Sequence, residues 1–228
     1  MKPYYERGGI VLFHADCYEM LPTLTADLLC TDPPYGIGVS HPKSFSGGTK
    51  ARTHSTGIFA GKAKHIKRPV CRDYGEYDWD DAPPPPWAFD LMRERTKFQI
   101  IFGGNYFPLP PSRCWLVWDK DNGATAYSDC ELAWTNFKKP VRKLRWRWNG
   151  FLQEDMKHKE ERVHRAQKPV PLMRWCIEQA PPGCKTILDP YAGSGTTLLA
   201  ARLLGRQAVG IEKEEAFCEM AAKRLEAA

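Results

Sequence analysis

Asp32 closes a short apolar run, ADLLCT, and is followed at once by Pro33, Pro34 and Tyr35. Two consecutive prolines surrender two backbone donors and fix two φ angles, so the acid and the aromatic are held in a set relation. Taken alone, D-P-P-Y reads as a structural turn with an aromatic plug. As chemistry it offers a carboxylate, a rigidly held carbonyl and a ring at one strand end. A second set lies far along the chain, in TILDPYAGSGTTLLAARLLGRQAVGIEKEE. There Asp189 closes one β-like run and Glu212 closes the next, 23 residues later. Between them Gly193 and Gly195 let the backbone approach a ligand closely. An acid at that distance sits where a doubly wound fold places its ribose-binding carboxylate, which points to an adenosine-type ligand. The lysine of G-x-x-x-x-G-K-[ST] is absent, so GSGTT is not a P-loop.

The elements that position these residues follow from periodicity and punctuation. GIVLF, ADLLC, FQIIF, KTILD and RQAVGIE read as strands, as do CWLVW, ELAWTNF and VRKLRWRW, whose short connections predict an antiparallel section. HADCYEMLPTL reads as a turn and short helix, and WAFDLMRERTK, PVPLMRWCIEQ, GTTLLAARLL and EEAFCEMAAKRLEA as helices. Pro lies near the start of one helix, and Gly205 follows another. Strands and helices alternate at both ends, which predicts an α/β sheet with a partly antiparallel section. There is no internal repeat.

With 228 residues, the chain is expected to form one domain with a real core, residues 36–80 being an insert. Residues 36–72 carry eight Lys or Arg, six Gly and no acid. Such a stretch cannot bury enough apolar surface to pack by itself, so a mobile basic loop is expected. DYGEYDWDDAPPPP, with five acids and four prolines, then reads as the return to the scaffold. A second basic block, KKPVRKLRWRWNG, interleaves cations with Leu144, Trp146 and Trp148, a pattern that suits either a nucleic-acid surface or a solvated edge strand. The net charge of +6 makes an anionic partner plausible. The eight cysteines include no C-x-x-C pair, which argues against a structural zinc site, and no metal is expected. With no signal-peptide core and no long apolar run, the expectation is a cytoplasmic protein with free thiols and no membrane partner.

Together the two motifs resemble those of the DNA amino-methyltransferases that methylate adenine N6 or cytosine N4. DPPY looks like their catalytic motif, and LDPYAGSGTT like their cofactor loop, usually written with Phe where Tyr191 stands. AQKPVPLMRWCIE resembles the segment before that loop, and HADCYEMLPTL the strand-end acid and helix upstream of the catalytic motif. The catalytic motif comes first, the permuted order of the beta class. The resemblance covers roughly residues 8–35 and 85–226.

The resemblance implies a class I, Rossmann-like methyltransferase fold with a circularly permuted, seven-stranded mixed sheet, using S-adenosylmethionine on DNA. It implies that Asp32 and the Pro33 carbonyl, held by Pro34, accept from the target amine, and that Tyr35 stacks on a flipped-out base. Asp189, Pro190, Tyr191, Ala192, Gly193 and Gly195 are expected around the amino-acid part of the cofactor, with Ser194, Thr196 and Thr197 donating hydrogen bonds. Glu212, beside Lys213, is expected on the ribose. Asp16 and Cys17 are expected at the adenine, Lys168 near the cofactor's carboxylate, and Asp32 also beside the cofactor. Expected DNA contacts are Lys62, Lys64, Lys67 and Arg68 in the loop, and Arg142, Lys143, Arg145 and Arg147 in a recognition segment at 138–160, with Trp146 packed inward. Asp rather than Ser at position 32 leans towards adenine over cytosine N4. Cytosine C5 chemistry would need a thiolate that its family places after proline, and no Pro-Cys dipeptide occurs. A silent DNA-binding subunit is the remaining alternative. A homodimer would fit the class, and the presence of a paired nuclease stays open.

Overall fold

The computed structural model describes residues 1–38, 78–123, 128–149 and 152–228. In chain order the elements are β1 (Tyr5–Arg7), β2 (Ile10–His14), α1 (Cys17–Met20), β3 (Ala26–Thr31), α2 (Pro86–Arg95), β4 (Thr96–Phe102), β5 (Trp115–Asp119) and β6 (Cys130–Thr135). They continue with β7 (Arg142–Arg145), β8 (Trp148–Asn149), β9 (Leu152–Gln153), α3 (Val170–Glu178), β10 (Thr186–Asp189), α4 (Thr196–Leu203), β11 (Gln207–Glu212) and α5 (Glu215–Glu226).

Nine of the strands form one sheet in the order β1-β2-β11-β10-β3-β4-β6-β5-β7, and β8 pairs with β9 in a separate ribbon. The five strands from β2 to β4 are mutually parallel, and β6 runs antiparallel to both neighbours. Seven strands were expected; among the described residues there are nine, because β1 pairs antiparallel with β2 at one edge and β7 joins β5 at the other. The predicted antiparallel section is altered at that second edge, where β7 lies parallel to β5. VRKLRWRW is also not one strand. Its partner β5 ends at Asp119, whose carbonyl takes the Trp146 N–H at 2.9 Å, and the chain then turns into the β8–β9 ribbon.

Alternation in the central strands sorts the core onto two faces. Leu28, Cys30, Ile100 and Phe102 join Leu172, Met173 and Cys176 of α3 in one cluster. Leu29 and Ile101 join Ala88, Phe89 and Met92 of α2 in the other. Being covered on both faces explains why β3 and β10 read as nearly continuous apolar runs rather than alternating ones.

This topology places the two motifs side by side. From β10 the chain passes through α4 to β11 on one flank, whereas β3 continues through α2 to β4 on the other. The order therefore reverses between β10 and β3, and such a switch point opens a crevice at the carboxyl ends of the strands. Asp189 is the last residue of β10 and Asp32 the first after β3. The Thr31 hydroxyl donates to Asp189 Oδ1 at 2.7 Å and ties the two ends together.

Candidate active site

Both carboxylate oxygens of Asp32 are engaged. Oδ1 accepts from the Tyr35 hydroxyl at 2.6 Å, and Oδ2 from Lys168 Nζ at 2.5 Å. Lys168 also stands 3.1 Å from Glu131 Oε2, and Glu131 Oε1 pairs in turn with Lys120. Burial raises Asp32 above the usual carboxylate range, opposed by Lys168 and reinforced by Glu131. Burial alone would lower Lys168, but the carboxylates of Asp32 and Glu131 outweigh it and hold the ammonium charged. Burial also works against a charged Glu131, yet Lys168 and Lys120 pull it down to about 2. Lys168 was expected near a cofactor carboxylate. In the structure its ammonium sits on Asp32 and beside Glu131.

The turn after β3 is fixed from outside by Asp80, whose Oδ1 accepts the N–H groups of Tyr35 at 2.7 Å and Gly36 at 3.0 Å. Gly38 N–H also donates to the Asp80 carbonyl at 3.2 Å, so residues 38 and 80 meet close to this turn. A Cβ on Gly36 would stand 2.5 Å from Pro83 Cδ. Gly103, with φ +66°, lies against the Tyr35 ring, where a Cβ would stand 2.2 Å from Cε1. The GGN stretch after β4 thus lines the site. Tyr106, half exposed, stacks on Tyr35 with centroids 5.0 Å apart and planes 18° apart, and Phe107 meets the same ring edge-on at 6.1 Å.

The glycine loop forms the other half. Gly193 adopts φ +51°, and a Cβ there would meet no described atom within 4 Å, so its upper side is open. Gly195 is held close instead, since a Cβ would stand 2.8 Å from Ala221 Cβ on α5. Ala192 N–H donates to the Ile211 carbonyl at 2.9 Å, which presses the loop against β11. Glu212 Oε2 accepts from Gly193 N–H at 2.7 Å and Oε1 from Glu214 N–H at 2.8 Å. Burial pushes the Glu212 carboxyl up to about 7 and that of Asp189 up to about 6.

Three expected donors have partners within the protein. Arg224, reaching from α5, donates to the Ser194 carbonyl at 2.7 Å, to Ser194 Oγ at 3.1 Å and to Thr196 Oγ1 at 3.0 Å. Thr197 bonds Asp189. These hydroxyls brace the loop. Asp16 caps α1, its Oδ1 accepting Tyr18 N–H at 2.9 Å, while its Oδ2 lies 4.0 Å from the exposed Lys213 Nζ. The buried Cys17 thiol is pushed up to about 11 by desolvation, and the Tyr191 hydroxyl donates to Tyr18 at 3.3 Å. His164, which the sequence reading passed over, packs edge-on against Phe217 at 4.5 Å, and its Nε2 has no hydrogen-bond partner among the described residues.

The basic candidates divide. Lys62, Lys64, Lys67 and Arg68, with most of the expected mobile insert, lie outside the described residues. Arg142, Lys143 and Arg145 are exposed on β7, and Trp146 packs against the core. Arg145 and Arg147 converge on Asp121, Arg145 at 2.7 Å, and Lys143 pairs with Asp119 at 3.2 Å. Acids from beyond the 138–160 segment therefore hold the very arginines expected to contact DNA.

Glu131, Asp80 and Arg224 are the residues sequence reasoning missed. A lone acid in the otherwise apolar strand CELAWT was the available signal for Glu131; Asp80 was hidden among neighbouring acids.

The sequence profile described as DNA methylase (N6_N4_Mtase) matches residues 110–223, half of the chain. The chain is 28% identical to the type II methyltransferase M.ScaI of Streptomyces caespitosus, over 99% of this chain and 84% of that protein. It is 26% identical to the type II methyltransferase M2.DpnII of Streptococcus pneumoniae, over 99% and 93% of the two chains. Among solved structures, the M1.HpyAVI–SAM complex aligns over 94% of this chain and 99% of its own with TM-score 0.52 and 21% identity. PvuII DNA methyltransferase, described as cytosine-N4-specific, aligns over 98% and 88% with TM-score 0.57 and 15% identity.

Proposed function

Because the chain belongs to the DNA methylase family of adenine-N6 and cytosine-N4 methyltransferases, we propose that it methylates adenine N6 in DNA, with Asp32 as the catalytic carboxylate. The observation that carries this reading is the juxtaposition of Asp32 with the glycine loop, tied by the Thr31–Asp189 bond at 2.7 Å. S-adenosylmethionine is the methyl donor and supplies an electrophilic methyl group on a sulfonium. The residues present fit it: Gly193 leaves an open cradle, and Glu212 keeps a lone pair on each oxygen for a pair of ribose hydroxyls.

The exocyclic amine of a base is a poor nucleophile because its lone pair is delocalised into the ring. Asp32 and the Pro33 carbonyl are acceptors for its two hydrogens. Drawing on both favours a tetrahedral nitrogen, and so the transition state over the ground state. The nitrogen that gains the methyl group would become cationic, the electron pair of the broken sulfur–methyl bond staying with the donor's sulfur, and Asp32 takes its surplus proton. The raised proton affinity of the buried Asp32 suits that task. An amine inside a duplex is out of reach, so the nucleotide must leave the stack. Tyr35 and the half-exposed Tyr106 supply an aromatic surface for it. Asp at position 32, where cytosine-N4 members of the family more often carry Ser, supports adenine. The test is nucleoside mass spectrometry of duplex DNA after incubation with enzyme and cofactor. N6-methyladenine is expected; N4-methylcytosine alone would establish the other base.

A further inference from the structure

Asp32 faces a difficulty in this structure. Its two oxygens already hold the Tyr35 hydroxyl at 2.6 Å and the Lys168 ammonium at 2.5 Å. Each oxygen keeps a lone pair for a target amine, but the carboxylate can take the amine's proton only as the ammonium's hold on it loosens. Lys168 cannot retreat to water, since it is only 8% exposed. Its other carboxylate neighbour among the described residues is Glu131, already within 3.1 Å.

Glu131 is an anomaly by every local rule. It stands on β6 among Leu132, Ala133 and Trp134, directly across from Trp118 of β5. Buried ion pairs give little stability over apolar replacements, so packing alone does not account for it. Lys120 neutralises its second oxygen, and the buried set Asp32, Lys168, Glu131 and Lys120 comes to zero net charge.

We propose that Glu131 is a positioning residue for methyl transfer, the alternative seat to which the Lys168 ammonium moves as Asp32 takes the proton of the target amine. The inference rests on the reading of Asp32 given above. The move is short, because Lys168 already touches both carboxylates, and it needs no water to enter. It is also timed to the chemistry. When the ammonium leaves, Asp32 loses its main compensating charge and binds a proton more readily, just as the methylated nitrogen must shed one.

The charged and titratable groups facing Asp32 are Lys168 ahead of α3, Glu131 on β6, Tyr35 on its own turn, Asp189 on β10 and Cys30 on β3. Loss of the Glu131 charge removes a contribution that raises Asp32 and leaves Lys168 wholly to it. The acid limb of the kcat profile, where Asp32 must be ionised, then moves to lower pH. Loss of Lys120 does the reverse: a less compensated Glu131 draws Lys168 away, and the limb moves to higher pH.

The experiment compares Glu131→Gln and Lys120→Met with the wild-type enzyme on duplex DNA, measuring kcat from pH 5 to 9 and cofactor affinity by calorimetry. For Glu131→Gln the expected result is a kcat about tenfold lower with cofactor affinity within about threefold, a loss confined to the chemical step. Its acid limb should fall by at least about half a pH unit, and that of Lys120→Met should rise by a similar amount. A merely structural role would move neither limb, or both the same way, and either result overturns the proposal. So does a Glu131→Gln kcat within about twofold of wild type. If Glu131→Gln does not fold, as shown by lost cofactor binding, Lys120→Met decides alone, and an unshifted or lowered limb overturns the idea. A wild-type protein that transfers no methyl group is a separate result, and it removes the reading of Asp32 itself.

Discussion

Replacing Glu212 by Gln should damage cofactor binding more than the loss of one charge suggests. Glu212 accepts a backbone N–H on each oxygen, from Gly193 at 2.7 Å and from Glu214 at 2.8 Å. A glutamine amide has one acceptor and one donor end, so whichever way it turns, its NH2 meets a backbone N–H. The Gly193 amide or the Glu214 amide then loses its partner, and a ribose hydroxyl loses a charged acceptor. At about 1.5–3 kcal/mol per hydrogen bond to a charged group, partly recovered by relaxation of the loop, the variant should lose ~2–4 kcal/mol of cofactor affinity, roughly 30- to 900-fold. A pH signature comes with it. Burial holds the Glu212 carboxyl up to about 7, and hydroxyls donating to the ionised form lower that value. Cofactor binding should therefore release a proton near neutral pH. Affinity should weaken as pH falls below about 7, by up to about tenfold per unit. Calorimetry with the cofactor or its demethylated product, at pH 6 to 8 in two buffers of different ionisation enthalpy, reads both effects. A Glu212→Gln protein that binds within about threefold of wild type, with the same pH slope, would refute this assignment.

Asp80→Ala strips the acceptor from two amides of the catalytic turn. It should cost about 2–3 kcal/mol by chemical denaturation and lower kcat, leaving cofactor affinity within about threefold; unchanged kcat would show that the turn holds itself. Gly103→Ala drives a Cβ to 2.2 Å from the Tyr35 ring at a backbone φ of +66°. The combined strain and overpacking predict a loss of about 2–4 kcal/mol and a distorted Asp32–Tyr35 pair; full activity at normal stability would contradict the close contact. Arg224→Met removes three bonds from the glycine loop and should weaken cofactor binding about tenfold. Calorimetry showing wild-type affinity would mean that the loop needs no brace.

The central strands were legible because β3, β4, β10 and β11 are rich in apolar residues and end at or beside acids or glycines, marks that local sequence displays. The two motifs were legible for the same reason, and their adjacency followed from the doubly wound pattern. The partners that complete the site were not. Lys168 meets Asp32 across 136 positions, Asp80 meets Tyr35 across 45, and Arg224 meets Ser194 across 30. Nothing local distinguishes such residues from a surface lysine, one acid in a run of five, or a cation on the last turn of a helix. The edge at β7 was misjudged for a related reason. Alternation identifies a strand, but only the extent of the neighbouring strand decides where pairing stops, and β5 stops at Asp119.

The central claim is that Asp32 acts on the target amine and not on the cofactor. Its most direct test is Asp32→Ala, assayed for transfer of a labelled methyl group to duplex DNA, with cofactor affinity measured on the same preparation. The expected outcome is methyl transfer reduced by at least about a thousandfold, the scale of a lost acceptor at the reacting group, with cofactor affinity within about threefold of wild type. Transfer retained at about a tenth of the wild-type rate, or cofactor binding lost along with it, would contradict the account.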